Sequence, residues 1–115
     1  MMQHNPVRGE VVVRFGGRSW RLCLTLGALA ELEDMLNVPD LTALAQRFSE
    51  GRISARDLIA LITAGLHGGG HAVSPEDVAR MAHAEGLTGF IAVAARLLQA
   101  TFPEEPGADA ADEKA

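Results

Sequence analysis

Two histidines, His67 and His71, are the side chains whose type and spacing first suggest metal chemistry. They lie four residues apart, the spacing that places two imidazole ligands on one face of a helix. Three glycines, at 68–70, stand between them, so we expect a flexible break in the chain and no rigid geometry. No third ligand is evident, and the pattern therefore favours a solvent-exposed loop. We expect no metal and no other cofactor.

The single cysteine, Cys23, is a candidate nucleophile. A reactive thiolate needs a neighbouring base and a lowered pKa. Cys23 falls in a predicted β-strand opposite Glu10, and a carboxylate neighbour raises the pKa of a thiol. A single cysteine also excludes an intramolecular disulfide and a multi-cysteine zinc site. We therefore interpret Cys23 as a small strand residue.

The glycine clusters and the acidic residues form no recognisable active site. The clusters at 16–17 and 68–70 match neither the Walker pattern nor the GxGxxG spacing before a helix. Glu31, Glu33 and Asp34 follow one another at helical spacing, which is typical of a solvated helix face. Because no nucleophile, base and oxyanion set is present, we expect a protein that is not an enzyme.

The composition fits a small globular protein with a charged end. The 115 residues are 48% hydrophobic and 22% charged, and a chain of this size can bury about two thirds of its unfolded surface. The net charge is −5; residues 103–115 hold five acidic residues and one lysine, so they contribute −4 and leave −1 for the rest. We expect a single globular domain over residues 1–102 and a disordered acidic tail over residues 103–115.

The same numbers exclude several classes of partner and location. A nearly neutral body argues against a nucleic-acid interface, which needs clustered positive charge. No apolar run approaches the roughly 18 residues of a membrane span. The N-terminus has neither the basic start nor the apolar stretch of a signal peptide. We therefore expect a protein that binds neither nucleic acid nor membrane and that is cytoplasmic or, as the alternative, associated with a particle.

Two β-like runs near the N-terminus predict a hairpin over residues 10–24. A pair of glycines joins the runs as a two-residue turn, which fixes the register. Val13 then faces Trp20 and Val11 faces Leu22, and these residues form one apolar face. Because a lone hairpin is marginal in water, we expect this face to pack on helices.

Five apolar stripes at helical spacing follow the hairpin, each with a cap or stop signal. They predict an α+β fold that is mostly α, with the N-terminal two-stranded β-hairpin packed on a bundle of about five short helices. The predicted helices span residues 26–36, 41–50, 55–66, 75–85 and 89–102. The stripe over 55–66 is wide, as in the central helix of a bundle.

Several segments resemble the gene-transfer-agent tail protein family of alphaproteobacteria, which is related to the prophage tail assembly chaperones. The segments are NPVRGE (5–10), LTLGALAELE (24–33), SARDL (54–58) and GLHGGG (65–70). The resemblance covers about residues 5–102. Its motifs are turn, cap and packing residues in a specific order, and they carry no information on catalysis.

The resemblance implies a tail assembly chaperone of a gene transfer agent or prophage. Such chaperones bind the helical tape-measure protein and keep it soluble while the tail tube polymerises. The alternative is a structural tail tube component of the particle, a class that needs long-stranded sheet where this sequence offers one hairpin. The implied partners are the tape-measure protein, the tail tube protein and further copies of this chain.

A DNA-binding module is a third alternative. The helices at 54–66 and 75–85 could mimic a helix-turn-helix, but the segment between them is long and rich in glycine. The second helix carries only Arg80 as a basic residue, so contacts to phosphates and bases would be scarce. This interpretation is therefore disfavoured.

The apolar stripes of helices 54–66 and 89–102 predict where a partner binds. They cover more of the helix circumference than one core face needs, and exposed apolar patches mark interaction sites. The candidate partner-binding residues are Leu58, Ile59, Ile62, Leu66, Phe90 and Leu97. A central helix that is fully enclosed predicts the same pattern, so both alternatives stay open.

Overall fold

The computed structural model describes residues 9–15, 17–37 and 40–102, which form a two-stranded antiparallel sheet and five helices. The elements are β1 (Glu10–Phe15), β2 (Arg18–Cys23), α1 (Leu26–Leu36), α2 (Leu41–Ser49), α3 (Ala55–Gly68), α4 (Pro75–Glu85) and α5 (Leu87–Thr101). The predicted α+β, mostly helical fold with its N-terminal hairpin is confirmed. The acidic tail predicted at 103–115 lies outside the described residues.

The two strands pair in the register that the two-residue turn predicts. Val13 lies opposite Trp20 and Val11 opposite Leu22, and all four side chains are buried. The two residues that flank a two-residue turn form a hydrogen-bonded pair. Further along the two strands, pairs without hydrogen bonds between them alternate with hydrogen-bonded pairs. Val12 belongs to a pair without such bonds. Its backbone N–H and C=O groups therefore point away from β2, as do those of the residues two positions before and after it in β1.

Capping side chains set the starts of the helices. The Thr25 hydroxyl accepts a hydrogen bond from the Ala28 N–H at 3.1 Å where α1 begins. At the start of α3, the Ser54 hydroxyl accepts from the Asp57 N–H at 3.1 Å, and the Asp57 carboxylate accepts from the Ser54 N–H at 3.2 Å. Such a capping box satisfies two backbone donors that the helix leaves without partners.

The bounds of three helices differ from the predicted ones. The second helix ends at Ser49, and the fifth spans Leu87–Thr101 and so begins two residues before its predicted start. The third continues through Gly68, two residues past its predicted end. Within the described ranges, no helix is both long enough and apolar enough to cross a bilayer.

The end of α3 lies directly against the backbone of β2. A Cβ atom at Gly68 would come within 1.8 Å of the Cys23 carbonyl oxygen, and one at Gly69 within 1.9 Å of the Arg21 carbonyl oxygen. Only a residue without a Cβ allows this approach. The predicted flexible break at 68–70 is therefore wrong for its first two residues, which are packing positions.

The two outer edges of the sheet differ. The end of α3 covers the β2 edge, where the Arg21 N–H also donates to His71 Nε2 at 3.2 Å. On the β1 edge, the Val12 carbonyl oxygen accepts from Arg96 Nη2 at 3.4 Å, and no third strand pairs there among the described residues. Unpaired strand edges attract other strands, and here a helix end covers the β2 edge, whereas the Arg96 side chain contacts the β1 edge at one carbonyl group.

α3 is the central element of the molecule. It packs against β2, α1, α4 and α5, and eight of its residues are buried, from Leu58 to Leu66 with only Ile59 excepted. Thr63 is the buried polar residue of this helix, and its hydroxyl donates to the Ile59 carbonyl oxygen at 2.7 Å. The wide stripe is thus explained by enclosure on most sides.

Candidate functional site

Five of the six side chains that the sequence singled out for partner binding are buried. The exposed fractions are 0% for Ile62, Leu66 and Leu97, 1% for Phe90 and 3% for Leu58. These residues hold α3 and α5 in the bundle, so a partner could reach them only if the bundle opened. That these five residues bind a partner therefore stays a prediction, and it requires the bundle to open. Ile59 is half-buried and is the member of the set that solvent reaches.

Ile59 lines a groove between α1, α3 and the start of α4. The groove has a volume of about 380 Å³, and its walls are Met35, Arg56, Ile59, Ala60 and Pro75. Met35 and Arg56 also line a second cavity of about 740 Å³ beside the α2–α3 loop. Because these two residues line both, the cavities are adjacent. We call them together the Ile59 groove, with an apolar half and a charged half.

Arginines dominate the charged half of the groove. Arg47 Nη2 donates to the Asp57 carboxylate at 2.8 Å, and Arg52 Nε pairs with the Glu50 carboxylate at 3.0 Å. Arg56 is exposed and has no ion pair among the described residues. Three guanidinium groups and two carboxylates leave a net positive charge, which suits an acidic ligand.

Arg47 also carries an unsatisfied donor. Its Nε is buried and has no hydrogen-bond acceptor among the described residues. A buried N–H without an acceptor costs free energy, and such groups are rare in folded proteins. The charged half of the groove therefore holds more donors than its own carboxylates use.

His67 joins three parts of the structure. Its Nδ1 lies 2.7 Å from the Glu31 carboxylate on α1, and its Nε2 lies 2.6 Å from the Val73 carbonyl oxygen before α4. Both neighbours are acceptors, so only the doubly protonated imidazolium satisfies both. The hydrogen bond to Val73 and, to a smaller extent, the Glu31 carboxylate raise the pKa of His67, although burial opposes them. His67 thus connects α3 to α1 and to the segment before α4. It lies in a helix, whereas the sequence predicted a solvent-exposed loop.

His71 has the opposite character. Its Nε2 accepts the Arg21 N–H, and its ring makes an edge contact with Trp20 at 5.0 Å between ring centroids. Burial lowers the pKa of His71, and the charges of Arg18 and Arg21 lower it further. The two histidines therefore act in separate contacts, and they bring no common metal site together.

Cys23 and the acidic residues of α1 form no reaction centre. Burial raises the pKa of the Cys23 thiol, and the Glu10 carboxylate raises it further, as expected from the strand pairing. Glu33 and Asp34 are exposed on α1, whereas Glu31 pairs with His67. Across the described ranges, no group of three or more His, Cys, Asp and Glu side chains could hold a metal ion.

The contacts of Arg80 do not support the helix-turn-helix alternative. Arg80 of α4 pairs with Asp77 on the same helix. The Ser74 N–H and hydroxyl, and then Arg80, lower the pKa of the Asp77 carboxyl. Asp77 therefore competes with a phosphate for Arg80, the basic residue on which this alternative depends.

The described residues define a small α+β protein, mostly helical, with a groove beside α3 and an N-terminal hairpin packed on its helices. The chain belongs to the family described as "Phage tail tube protein, GTA-gp10", which matches residues 8–104. The resemblance to gene transfer agent and phage tail proteins is thereby confirmed. No curated protein and no solved structure matches the chain.

Proposed function

We propose that this chain is a structural, non-enzymatic subunit of a phage-type tail tube. The observation that carries the proposal is the family match, which spans the hairpin and all five helices. The resemblance seen in the sequence implied an assembly chaperone first and a tube component second. The family description favours the reverse order, and tape-measure binding becomes the alternative.

The exposed surface of α5 supports assembly with other copies. Leu87 and Ile91 lie one turn apart on the helix and are 57% and 41% exposed. Large apolar side chains that share an exposed helix face are typical of protein contacts. A tube repeats one contact between unlike surfaces of neighbouring subunits, and this face is a candidate for one of the two.

The location of the chain in finished particles separates the two functions. A tube subunit should be present in purified particles in many copies, and antibody labels against it should decorate the tail along its length. A chaperone should be absent from finished particles and should co-purify with the tape-measure protein from the lysate. Absence from both fractions would contradict both functions.

A pair of variants connects the proposal to the α5 surface. Ile91→Glu should leave the chain folded, because the side chain is exposed, and should lower its incorporation into particles at least tenfold. Gln99→Glu is the matched control, since Gln99 is also exposed on α5 and gains the same charge. Equal incorporation of the two variants would exclude the α5 face as a subunit contact.

A further inference from the structure

We propose that the acidic C-terminal segment, residues 104–115, binds the charged half of the Ile59 groove in its own chain. The segment carries five carboxylates and one lysine, while the rest of the chain is nearly neutral. The groove brings together three of the nine arginines of the sequence. The proposal does not depend on the tube function, because it concerns a contact within one subunit.

The groove has unused capacity for carboxylates. Arg56 is exposed and has no ion pair within the described ranges, so its guanidinium is open to a carboxylate from solvent. The first backbone donors of α3 are already capped by Ser54 and Asp57, so the attraction comes from the guanidinium groups. Arginine pairs with carboxylates through two parallel N–H donors, which gives such contacts a defined geometry.

The segment is long enough to pass around α2 from the last described residue. Phe102 lies beside Ala45 and Ser49, which share one face of α2. Arg47 is two residues from Ala45, so it lies about 200° around the helix, on the opposite face. The segment must therefore pass around α2, a helix about 10–12 Å wide. Its twelve residues can span about 40 Å when extended.

The sequence of the segment also fits the two halves of the groove. The run ADAADE, residues 108–113, holds three alanines and three acids. In an extended chain, neighbouring side chains point in opposite directions. Asp109 and Glu113 then share one side, and Ala108 and Ala110 share the other. The two acids can thus face the groove arginines while the two alanines face Met35 and Ile59.

The contact is compatible with a tail that matters little for folding. Exposed ion pairs are individually weak, because water and salt screen them. Deletion of the segment can therefore leave thermal unfolding nearly unchanged even though the segment is bound. A test must observe the contact itself.

Amide chemical shifts of the full-length chain provide that test. In the variant Glu105→Gln, Asp109→Asn, Asp112→Asn and Glu113→Gln, the tail loses its charge while the body is unaltered. We expect amide shift differences from the natural chain at the groove, in residues 35–36 and 52–60. The differences should disappear at about 1 M salt, where screening is strong. They should not depend on protein concentration.

Charge reversal at the groove tests whether its arginines are the contact of the tail. In the background Arg52→Glu, Arg56→Glu, neutralising the tail should no longer change the shifts of groove residues. The matched background is Arg14→Glu, an exposed arginine of the hairpin, where the tail effect should persist. Shift differences at the hairpin arginines, spread evenly over the body, or absent altogether would overturn the proposal. Differences that vanish on dilution would assign the groove to the tail of a second copy and overturn the intramolecular contact.

Discussion

Gly68 is the residue at which one added methyl group should change the structure most. In Gly68→Ala the new Cβ would meet the backbone carbonyl of Cys23 at 1.8 Å. A backbone atom cannot rotate away, so α3 and β2 must separate. Overpacking of this kind costs about 1–3 kcal/mol or more. Urea unfolding of the variant should show a loss in this range.

Gly89→Ala is the control for helix propensity. Gly89 lies in the first turn of α5, and a Cβ there would meet no atom within 4 Å. Alanine is the better helix former, so this variant should be unchanged or more stable by up to about 1 kcal/mol. Equal effects of the two substitutions would show that α3 and β2 are not in close contact.

His67 predicts a pH dependence of stability with a definite sign. Its folded-state pKa is raised by the Val73 carbonyl and the Glu31 carboxylate. Its contribution is therefore fully present below the unfolded pKa of about 6.5 and is lost as pH rises through the folded pKa. The difference in melting temperature between the natural chain and His67→Gln should be larger at about pH 6 than at about pH 8.

His71 provides the opposite case. Because its pKa is lowered, its contribution is present above the unfolded pKa and is lost as pH falls through the folded one. For His71→Gln the melting-temperature difference should therefore be smaller at about pH 5 than at about pH 7. Parallel curves for the two variants would contradict the assigned hydrogen bonds.

At the scale of elements, Trp20 is the largest side chain that the hairpin contributes to the core within the described residues. Trp20 is 7% exposed, and the Arg18 guanidinium lies 3.9 Å from its ring centroid. Trp20→Ala should cost about 3–5 kcal/mol, because it leaves a large cavity in the core. Ser19→Ala, at an exposed neighbouring position, should cost under about 0.5 kcal/mol. A loss under about 1 kcal/mol for Trp20→Ala would place the ring outside the core.

Proline substitutions test the alternation of hydrogen bonds along β1. The Val12 N–H points away from β2, so Val12→Pro removes no bond of the ladder. The Val13 N–H points toward β2, where its partner is Trp20. Val13→Pro should therefore lose about 3 kcal/mol or more in stability, and Val12→Pro distinctly less. Thermal unfolding measures both, and the reverse order would show a register shifted by one residue.

The strands and helices could be predicted where neighbouring residues in the sequence determine a turn or a helix start. The turn glycines gave the hairpin register, and Thr25, Ser54 and Ser74 marked helix starts. The contacts of His67 and Gly68 could not be predicted, because they join segments distant in the sequence. The run GLHGGG directly after a buried stripe was the available signal, since glycines beside a packed helix favour close backbone approach. The exposure of Ile59 among buried neighbours likewise depends on how α1 and α4 flank α3.

At the scale of the whole molecule, Ile59 is the position of α3 that solvent reaches among the buried residues 58–66. Ile59→Glu should leave the chain folded, with a loss of at most about 2 kcal/mol, because the carboxylate can extend into the groove. Ile62→Glu places the same charge in the core and should unfold the chain. Circular dichroism and melting curves distinguish the two. If both variants unfold, the groove is closed around Ile59.

The covered edge of β2 limits how the hairpin can polymerise. Among the described residues, an added strand can join the sheet only along β1, where it would replace the Arg96 contact, since the end of α3 lies against the β2 edge. Two copies joined through β1 would form a four-stranded sheet with α3 at both margins, a two-fold pair with no free edge left. Within the described residues, the sheet can therefore accept one further strand, through β1, and cannot extend on both sides as a fibril requires.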